Sequence, residues 1–129
     1  MKATLLLFTS LLVASCSAGH TPRFYYESVE VSNLSGAAIS NLQVQIGERD
    51  YGCDSVAKNA MCHQRFGKVP YPQQAVRISW QDGEGGQQTQ QADPMVPATL
   101  SPSLPLRVML DIGEDGSVKA YFKQNGFKN

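Results

Sequence analysis

Three cysteines and two histidines are the side chains of this sequence best able to hold a metal or attack a substrate. Cys53, Cys62 and His63 lie within a stretch of eleven residues. Zinc sites commonly use closely spaced Cys or His pairs, and the C-x8-C-H spacing matches neither pattern, while His20 is distant in sequence. A catalytic thiol needs a base, and the adjacent His63 is the one candidate. We therefore expect no metal site and no cofactor.

Pairs of acidic residues are the other candidate catalytic groups, since a glycosidase uses two carboxylates. Three such pairs occur in or near glycine-containing segments that predict turns: Glu48/Asp50, Asp82/Glu84 and Glu114/Asp115. We interpret them as solvated turn residues, because Asp82-Gly83-Glu84 offers too few oxygen ligands for calcium. The motifs G-x-S-x-G, H-E-x-x-H, G-x-G-x-x-G and the Walker A loop are absent from the sequence. We predict that the protein is not an enzyme.

The charge balance bears on the class of partner. Eleven Lys and Arg residues are matched by eleven Asp and Glu residues, so the 129-residue chain has no formal net charge. A nucleic-acid-binding domain needs a basic face. Because the positive residues are scattered among acidic ones, we expect no nucleic-acid partner.

The first sixteen residues have the pattern of an export signal. Lys2 supplies a positive start, and the apolar stretch over residues 5–14 is long enough for a secretory signal but too short for a membrane span. This stretch ends in Val13-Ala14-Ser15-Cys16, which resembles the lipobox of bacterial lipoproteins. The resemblance implies that residues 1–15 are a signal peptide and that Cys16 carries a lipid anchor after cleavage.

The residues that follow Cys16 indicate where the domain is held. Residues 16–22 have no apolar periodicity and predict an acylated tether, whose six residues after Cys16 reach at most about 20 Å when extended. Ser17 resembles the residue that follows the acylated cysteine in lipoproteins sent to the outer membrane. We therefore expect a single domain over residues 23–129, anchored to the periplasmic face of the bacterial outer membrane.

Cys53 and Cys62 remain as an even pair once Cys16 is acylated, in a compartment that permits disulfides. We predict that they are bonded to each other, with the metal site and the reactive thiol as rival interpretations. Closing so short a loop should stabilise the fold by about 2–3 kcal/mol.

Apolar and polar residues alternate with a period of two along the chain after the tether. Five segments, near residues 25–31, 42–46, 76–80, 106–112 and 118–122, each predict a strand with one wet and one dry face. Residues 87–91 are polar on both faces and predict an edge strand or a loop. In the first strand, Tyr25 falls on the dry face. The dry positions predict a core of Val29, Val31, Leu42, Val44, Ile46, Val76, Ile78, Trp80, Val108, Leu110 and Phe122.

Turn segments separate these strands, and no alternation of strands with helices is present, so parallel sheets are disfavoured. The pattern predicts an all-β fold, a small antiparallel β-sandwich or open barrel of about six strands. The one candidate helix is a two-turn stretch over residues 54–61, inside the loop closed by the disulfide. Four prolines between residues 94 and 105 predict an extended segment.

Tyrosines are more numerous than the inward-facing pattern requires, and tyrosine is favoured at interfaces. Tyr51, Arg65, Phe66 and Tyr71 flank the disulfide loop, and we hypothesise that they form a partner-binding patch. Aromatic area would give affinity there, and Arg65 would orient a carboxylate or backbone carbonyl. The competing interpretation is that the aromatic residues cap the sandwich, which would make the proline-rich segment the better candidate.

Three functions fit a short acylated sandwich with one disulfide. We favour an outer-membrane-anchored periplasmic lipoprotein that acts as a non-catalytic protein-binding or envelope accessory module. Its partners would be the membrane, through the lipid on Cys16, and another envelope or secreted protein. The alternatives are an immunity lipoprotein that neutralises a periplasm-targeted toxin and a structural lipoprotein that binds cell wall or glycan. Wall binding needs an exposed aromatic platform. The one tryptophan, Trp80, lies on the dry side of its strand, which counts against wall binding.

Overall fold

The computed structural model describes residues 23–125, which form an all-β sandwich of eight strands. The strands are β1 (Tyr25–Asn33), β2 (Ile39–Ile46), β3 (Arg49–Val56), β4 (Met61–Pro70), β5 (Val76–Gln81), β6 (Gln87–Ala92), β7 (Leu106–Ile112) and β8 (Val118–Gln124). The predicted fold class is confirmed. Within residues 23–125 no helix is long and apolar enough to cross a membrane. The predicted signal peptide, Cys16 and the tether lie outside the described residues.

Two four-stranded sheets make up the sandwich. Sheet 1 has the strand order β4-β1-β7-β8 and sheet 2 has the order β3-β2-β5-β6. Successive strands run in opposite directions, so their connections alternate between two ends of the domain. We call the end where residues 23 and 24 enter β1 the tether end and the opposite end the far end.

One strand pair is parallel, against the expectation for this chain. β1 and β7 pair in parallel at the centre of sheet 1, while every other ladder in the described residues is antiparallel. Five strands lie between β1 and β7, and the alternation of direction makes both run from the tether end to the far end. The prediction was wrong at this pair because local sequence does not record which distant strands become neighbours.

The segment over residues 54–61 is not a helix. β3 ends at Val56, residues 57–60 form a turn, and β4 begins at Met61. Val56 pairs with Ile39 on β2 and is buried, and Asn59 has a φ of 60°, which a helix does not tolerate. β3 and β4 raise the strand number from about six to eight. They were missed because both lie at sheet edges and their apolar residues alternate weakly.

The core lies between the two sheets and is formed by the residues that the alternation of apolar and polar side chains predicts. Ten of the eleven predicted core residues are buried, and Phe122 is half-buried and packs against them. Tyr26, not Tyr25, faces inward from β1 and is fully buried. The register of β1 against β4 and β7 shifts between Tyr26 and Ser28, and this irregularity reverses the face that the first residues of the strand present.

The predicted turns and edge strand are also present. The Gly113 amide donates to the Ser117 carbonyl in the β7–β8 connection, and the Asp82 amide donates to the Gly86 carbonyl in the β5–β6 connection. β6, which contains the predicted glutamine-rich segment, is the edge strand of sheet 2 beside β5. With the β1–β2 and β3–β4 connections, these two connections make four turns at the far end.

Candidate functional site

Four aromatic side chains meet at the tether end of the sandwich, and we call them the aromatic corner: Tyr26, Tyr51, Phe66 and Tyr71. The ring of Tyr26 lies edge-on to those of Tyr51, Phe66 and Tyr71, with centroid distances of 6.2, 5.3 and 5.8 Å. Tyr51 stacks on Phe66 at 4.7 Å. Because Tyr51 is on β3 of sheet 2 and Phe66 is on β4 of sheet 1, the stack ties the two edge strands together.

The hydroxyl groups of Tyr26 and Tyr71 in this corner are held in their neutral form. Tyr26 and Tyr51 share a hydrogen bond of 2.8 Å between their hydroxyl oxygens. Burial, and then the hydrogen bond to Tyr51, raises the pKa of Tyr26 well above its usual value. Burial, and then the Asp93 carboxylate, raises the pKa of Tyr71 to about 12. At neutral pH neither phenol ionises, so neither can act as a base.

A disulfide between Cys53 and Cys62 links β3 to β4 beside the aromatic corner, which confirms the predicted pairing. The two Cα atoms are 6.2 Å apart. Cys62 is buried, and the Gln64 side-chain amide two residues on donates to the Gly52 carbonyl on β3 at 2.6 Å. One side of the sandwich is thus closed by a covalent bond, a side-chain hydrogen bond and a ring stack.

Successive side chains of β4 point to opposite faces of the sheet, and this divides the predicted patch. Tyr51, Phe66 and Tyr71 are brought together, but Tyr71 is 5% exposed and Tyr51 and Phe66 are half-buried. Arg65 precedes Phe66 on the strand and therefore points to the opposite side, where it is exposed on the outer face of sheet 1. The aromatic members pack within the sandwich, as the competing interpretation expected, and Arg65 belongs to a different surface.

That surface is rich in positive side chains, and we call it the cationic face. It is the outer face of sheet 1, where the strand register sets neighbouring strands' residues side by side. Four Lys or Arg side chains lie there against three carboxylates. The charged members are Arg65 and His63 on β4, Glu27 and Glu30 on β1, Arg107 and Asp111 on β7, and Lys119 and Lys123 on β8.

Glu30 is the centre of the cationic face. Its side chain is only 7% exposed, and both carboxylate oxygens accept hydrogen bonds from Nη2 of Arg107 at 2.8 and 2.7 Å. His63 Nε2 lies 3.4 Å from Oε1 of Glu30 on the other side. Ser28, which is also buried, sits in register between Arg65 and Arg107. The acid is therefore held by neighbouring strands, and it neutralises Arg107.

The remaining cations of this face project into solvent. Lys119 and Lys123 lie over the ring of Tyr121, with Nζ 5.6 and 6.0 Å from its centroid. Both lysines and Arg65 are exposed, whereas Tyr121 is half-buried. Partial burial and the nearby Asp111 carboxylate raise the pKa of Tyr121, so its ring stays neutral and presents its π face to the lysines.

The outer face of sheet 2 has a different chemistry. Uncharged polar side chains dominate it: Gln43, Gln45, Ser79, Gln81, Gln87, Thr89 and Gln91. On the central strands β2 and β5, the one charged residue of this face is Arg77. The edge strand β3 adds Asp50 and Asp54. The charged side chains of the domain are thus distributed unequally between its two outer faces.

The carboxylates of the far end are used within their own turns. Asp82 accepts hydrogen bonds from the amides of Gly86 and Glu84 at 2.8 and 2.9 Å and from the side chain of Gln88 at 3.1 Å. These bonds, that from Gly86 foremost, lower the pKa of Asp82. In residues 23–125 no group of three or more His, Cys, Asp or Glu side chains is placed to hold a metal ion.

An apolar groove of about 500 Å³ lies at the tether end. Phe24 and Tyr71 line it on one side, and the proline-rich connection between β6 and β7 lines it on the other with Met95, Val96 and Leu100. The Tyr71 amide donates to the Phe24 carbonyl at 2.8 Å, which fixes this wall. Among the described residues the Tyr71 hydroxyl has no hydrogen-bond partner.

Several residues of the cationic face were not singled out by the sequence, Lys119 and Lys123 among them, and Glu30 and Arg107 are the two at its centre. Both lie on the wet faces of predicted strands, where a charged residue looks like ordinary solvent-exposed surface. Glu30 does stand between Val29 and Val31 in a strand, and a lone acid in such a position is the only local signal. Its partner is 77 residues away, so the pair could not be found without the pairing of β1 with β7.

Comparisons with known proteins add little to these observations. No protein-family model matches the chain, and no curated protein matches it. The chain is similar to a solved NMR structure of a protein from Eubacterium rectale, with 10% sequence identity and a TM-score of 0.48. This match covers 84% of the present chain and 95% of the other. The function must therefore be inferred from the residues of this chain.

Proposed function

We propose that the chain is a non-catalytic protein-binding module of the bacterial envelope, held at the periplasmic face of the outer membrane by lipid on Cys16. Its cationic face binds an acidic segment of a partner protein. One observation carries this proposal. Arg65, Lys119 and Lys123 are exposed on one face, and within residues 23–125 no carboxylate lies within 4.0 Å of their nitrogens.

The properties of this face suit recognition of an acidic surface. Glu30 and Arg107 neutralise each other in the middle, so the net positive charge resides on side chains that a partner can reach. Unpaired surface cations attract an acidic partner over distance and orient it on contact. Arg65 and Tyr121 are of residue types that often dominate binding energy. The sheet that carries them is rigid, so little conformational entropy is lost on binding.

The alternatives differ in what they require of the surface. A glycan-binding lipoprotein needs an exposed aromatic platform, and Trp80, the one tryptophan of the chain, is 1% exposed. An immunity lipoprotein would use the same cationic face, since neutralising a toxin is also protein binding. Those two protein-binding roles differ in whether the captured partner is an incoming toxin or a resident envelope protein.

A capture experiment tests the role of the face with a matched pair of substitutions. Full-length tagged protein is crosslinked in intact cells, and the captured envelope protein is identified and its affinity for the purified lipoprotein measured. Arg65→Ala and Arg77→Ala each remove one exposed arginine, the first from the cationic face and the second from the outer face of sheet 2. We expect Arg65→Ala to weaken binding by about tenfold and Arg77→Ala to leave it unchanged.

Two results would contradict the proposal. Equal loss of binding in both variants would show that the cationic face is not the specific contact, and binding that is insensitive to salt would exclude an acidic partner segment. The anchor is tested separately with Cys16→Ser, which should abolish the lipid mass on the N-terminal peptide and release the protein from the membrane fraction. Retention of both would exclude lipidation at this residue.

A further inference from the structure

The connections at the two ends of the sandwich differ in composition. The far end carries four turns, over residues 34–38, 57–60, 82–86 and 113–117, which contain Asp82, Glu84, Glu114, Asp115 and one lysine. The long tether-end connection over residues 93–105 contains nine apolar or proline residues out of thirteen and a single charge, Asp93. The other two tether-end connections, over residues 47–48 and 71–75, add one acid, Glu48, so the connections carry four acidic groups at the far end and two at the tether end.

The tether-end connection exposes a large apolar side chain, Met95, that does not pack into the core of the sandwich. Met95 is 87% exposed, more than Leu34 or Met61, the other exposed large hydrophobic residues among those described. It stands at the rim of the apolar groove beside Val96. Met95 and the half-buried Val96 and Leu100 line one apolar groove, and a contiguous apolar patch marks a contact with protein or lipid.

The position of this surface points to lipid. Phe24 lines the same groove, and Phe24 is the eighth residue after Cys16. The eight residues from Ser17 to Phe24 span at most about 29 Å when extended, so an anchor at Cys16 keeps the groove within about that distance of the bilayer. The far-end carboxylates would then lie on the side away from the bilayer, where they do not approach anionic lipid headgroups.

We propose that the proline-rich connection, led by Met95, inserts into the lipid surface beside the anchor as a second membrane contact. This inference rests on the anchor at Cys16 in the proposed function. The lipid on a lipobox cysteine has more than one acyl chain and anchors stably by itself, so the inserted apolar loop serves to orient the domain, at no cost in charge beyond Asp93. The domain then stands end-on, which leaves the cationic face open to the periplasm.

The experiment measures contact with lipid at the two ends of the full-length lipoprotein. An environment-sensitive fluorophore is attached to Met95→Cys or to Glu84→Cys. The introduced thiol is the reactive one, because lipid occupies Cys16 and the disulfide occupies the other pair. Each labelled protein is reconstituted on vesicles of phosphatidylethanolamine and phosphatidylglycerol that contain a lipid with a nitroxide quencher high on its acyl chain.

We expect the label at Met95→Cys to be quenched at least about twofold more than the label at Glu84→Cys, with emission shifted to shorter wavelength. Co-flotation with the vesicles is measured on the same samples. A protein that floats while its label at Met95→Cys stays in water overturns the second contact and leaves the anchor intact. Equal quenching at both positions overturns the end-on orientation, and loss of flotation overturns the anchor and this inference together.

Discussion

The aromatic corner and the cationic face share strand β4 but have opposite physical properties. Phe66 stacks on Tyr51 inside the sandwich, whereas Arg65, the residue before it, is exposed on the outside. On the inner side, ring contacts and the Cys53–Cys62 disulfide hold two edge strands together. On the outer side, unpaired cations do little for the fold and remain available to a partner. Neighbouring residues on one strand can therefore serve stability and binding separately.

Substitution of Tyr71 gives the largest expected effect and tests the inner side. Tyr71→Ala removes edge-on contacts with Tyr26 and Phe122 and opens a cavity, so we expect the free energy of unfolding to fall by about 3–5 kcal/mol. Arg65→Ala, the matched change on the outer side, should alter it by less than about 0.5 kcal/mol. Urea denaturation of the two variants measures both values. A small loss for Tyr71→Ala combined with lost partner binding would reverse the assignment of the two sides.

Loss of the disulfide should have the next largest effect. Cys53→Ala combined with Cys62→Ala frees the two edge strands, and we expect a loss of about 2–3 kcal/mol in the chain-entropy model. Binding through the cationic face should persist once folded protein is normalised, because the outer side of β4 pairs with β1 along its length. Loss of partner binding at unchanged stability would indicate that the disulfide shapes the contact surface itself.

Removal of the Tyr71 hydroxyl alone should have the smallest effect and a defined pH dependence. The pKa of Tyr71 rises from 10.0 to about 12 on folding, so the folded state keeps a proton that the unfolded chain releases. This contribution to stability is fully present below about pH 10 and is lost as the pH rises toward 12. Tyr71→Phe should make that decline shallower.

At neutral pH the same variant should be as stable as the parent, or up to about 1 kcal/mol more stable, because the hydroxyl is buried without a partner among residues 23–125. Tyr26→Phe is the control, since its hydroxyl bonds to Tyr51 and its removal should cost about 1 kcal/mol. Denaturation curves between pH 7 and 12 measure both effects. A large loss for Tyr71→Phe at neutral pH would show that the hydroxyl is bonded in solution.

The alternation of residues predicted much of the inner architecture. Val44 and Ile78, with most of the other dry-face residues, are in the core because a strand with one wet face can bury its side chains in only one way. The turns after Trp80 and Ile112 followed from glycine and aspartate chemistry that acts over a few residues. The pairing of Cys53 with Cys62 followed from their number once Cys16 was assigned to lipid.

The strands and residues around the site were predicted less completely, for three reasons. Residues 54–61 have enough helix-favouring character to suggest a short helix, and pairing with β2 overrode that local preference. The patch hypothesis grouped Arg65 with Phe66 by proximity in sequence, which is the wrong criterion on a strand, where adjacent residues face opposite ways. The even scatter of charge along the chain likewise hid the cationic face, which forms only when β1, β4, β7 and β8 lie side by side.

By itself the sequence determined the class of fold, most of the inward-facing residues and the positions of the tight turns, because each depends on a pattern of a few neighbouring residues, and the number of cysteines determined the disulfide. Only the tertiary structure decided that β1 pairs with β7, that Glu30 meets Arg107 across that pair, and that Phe24, Tyr71 and Met95 border one groove. These contacts join residues far apart in the chain. Their formation depends on how two whole sheets pack, and no short stretch of sequence carries that information.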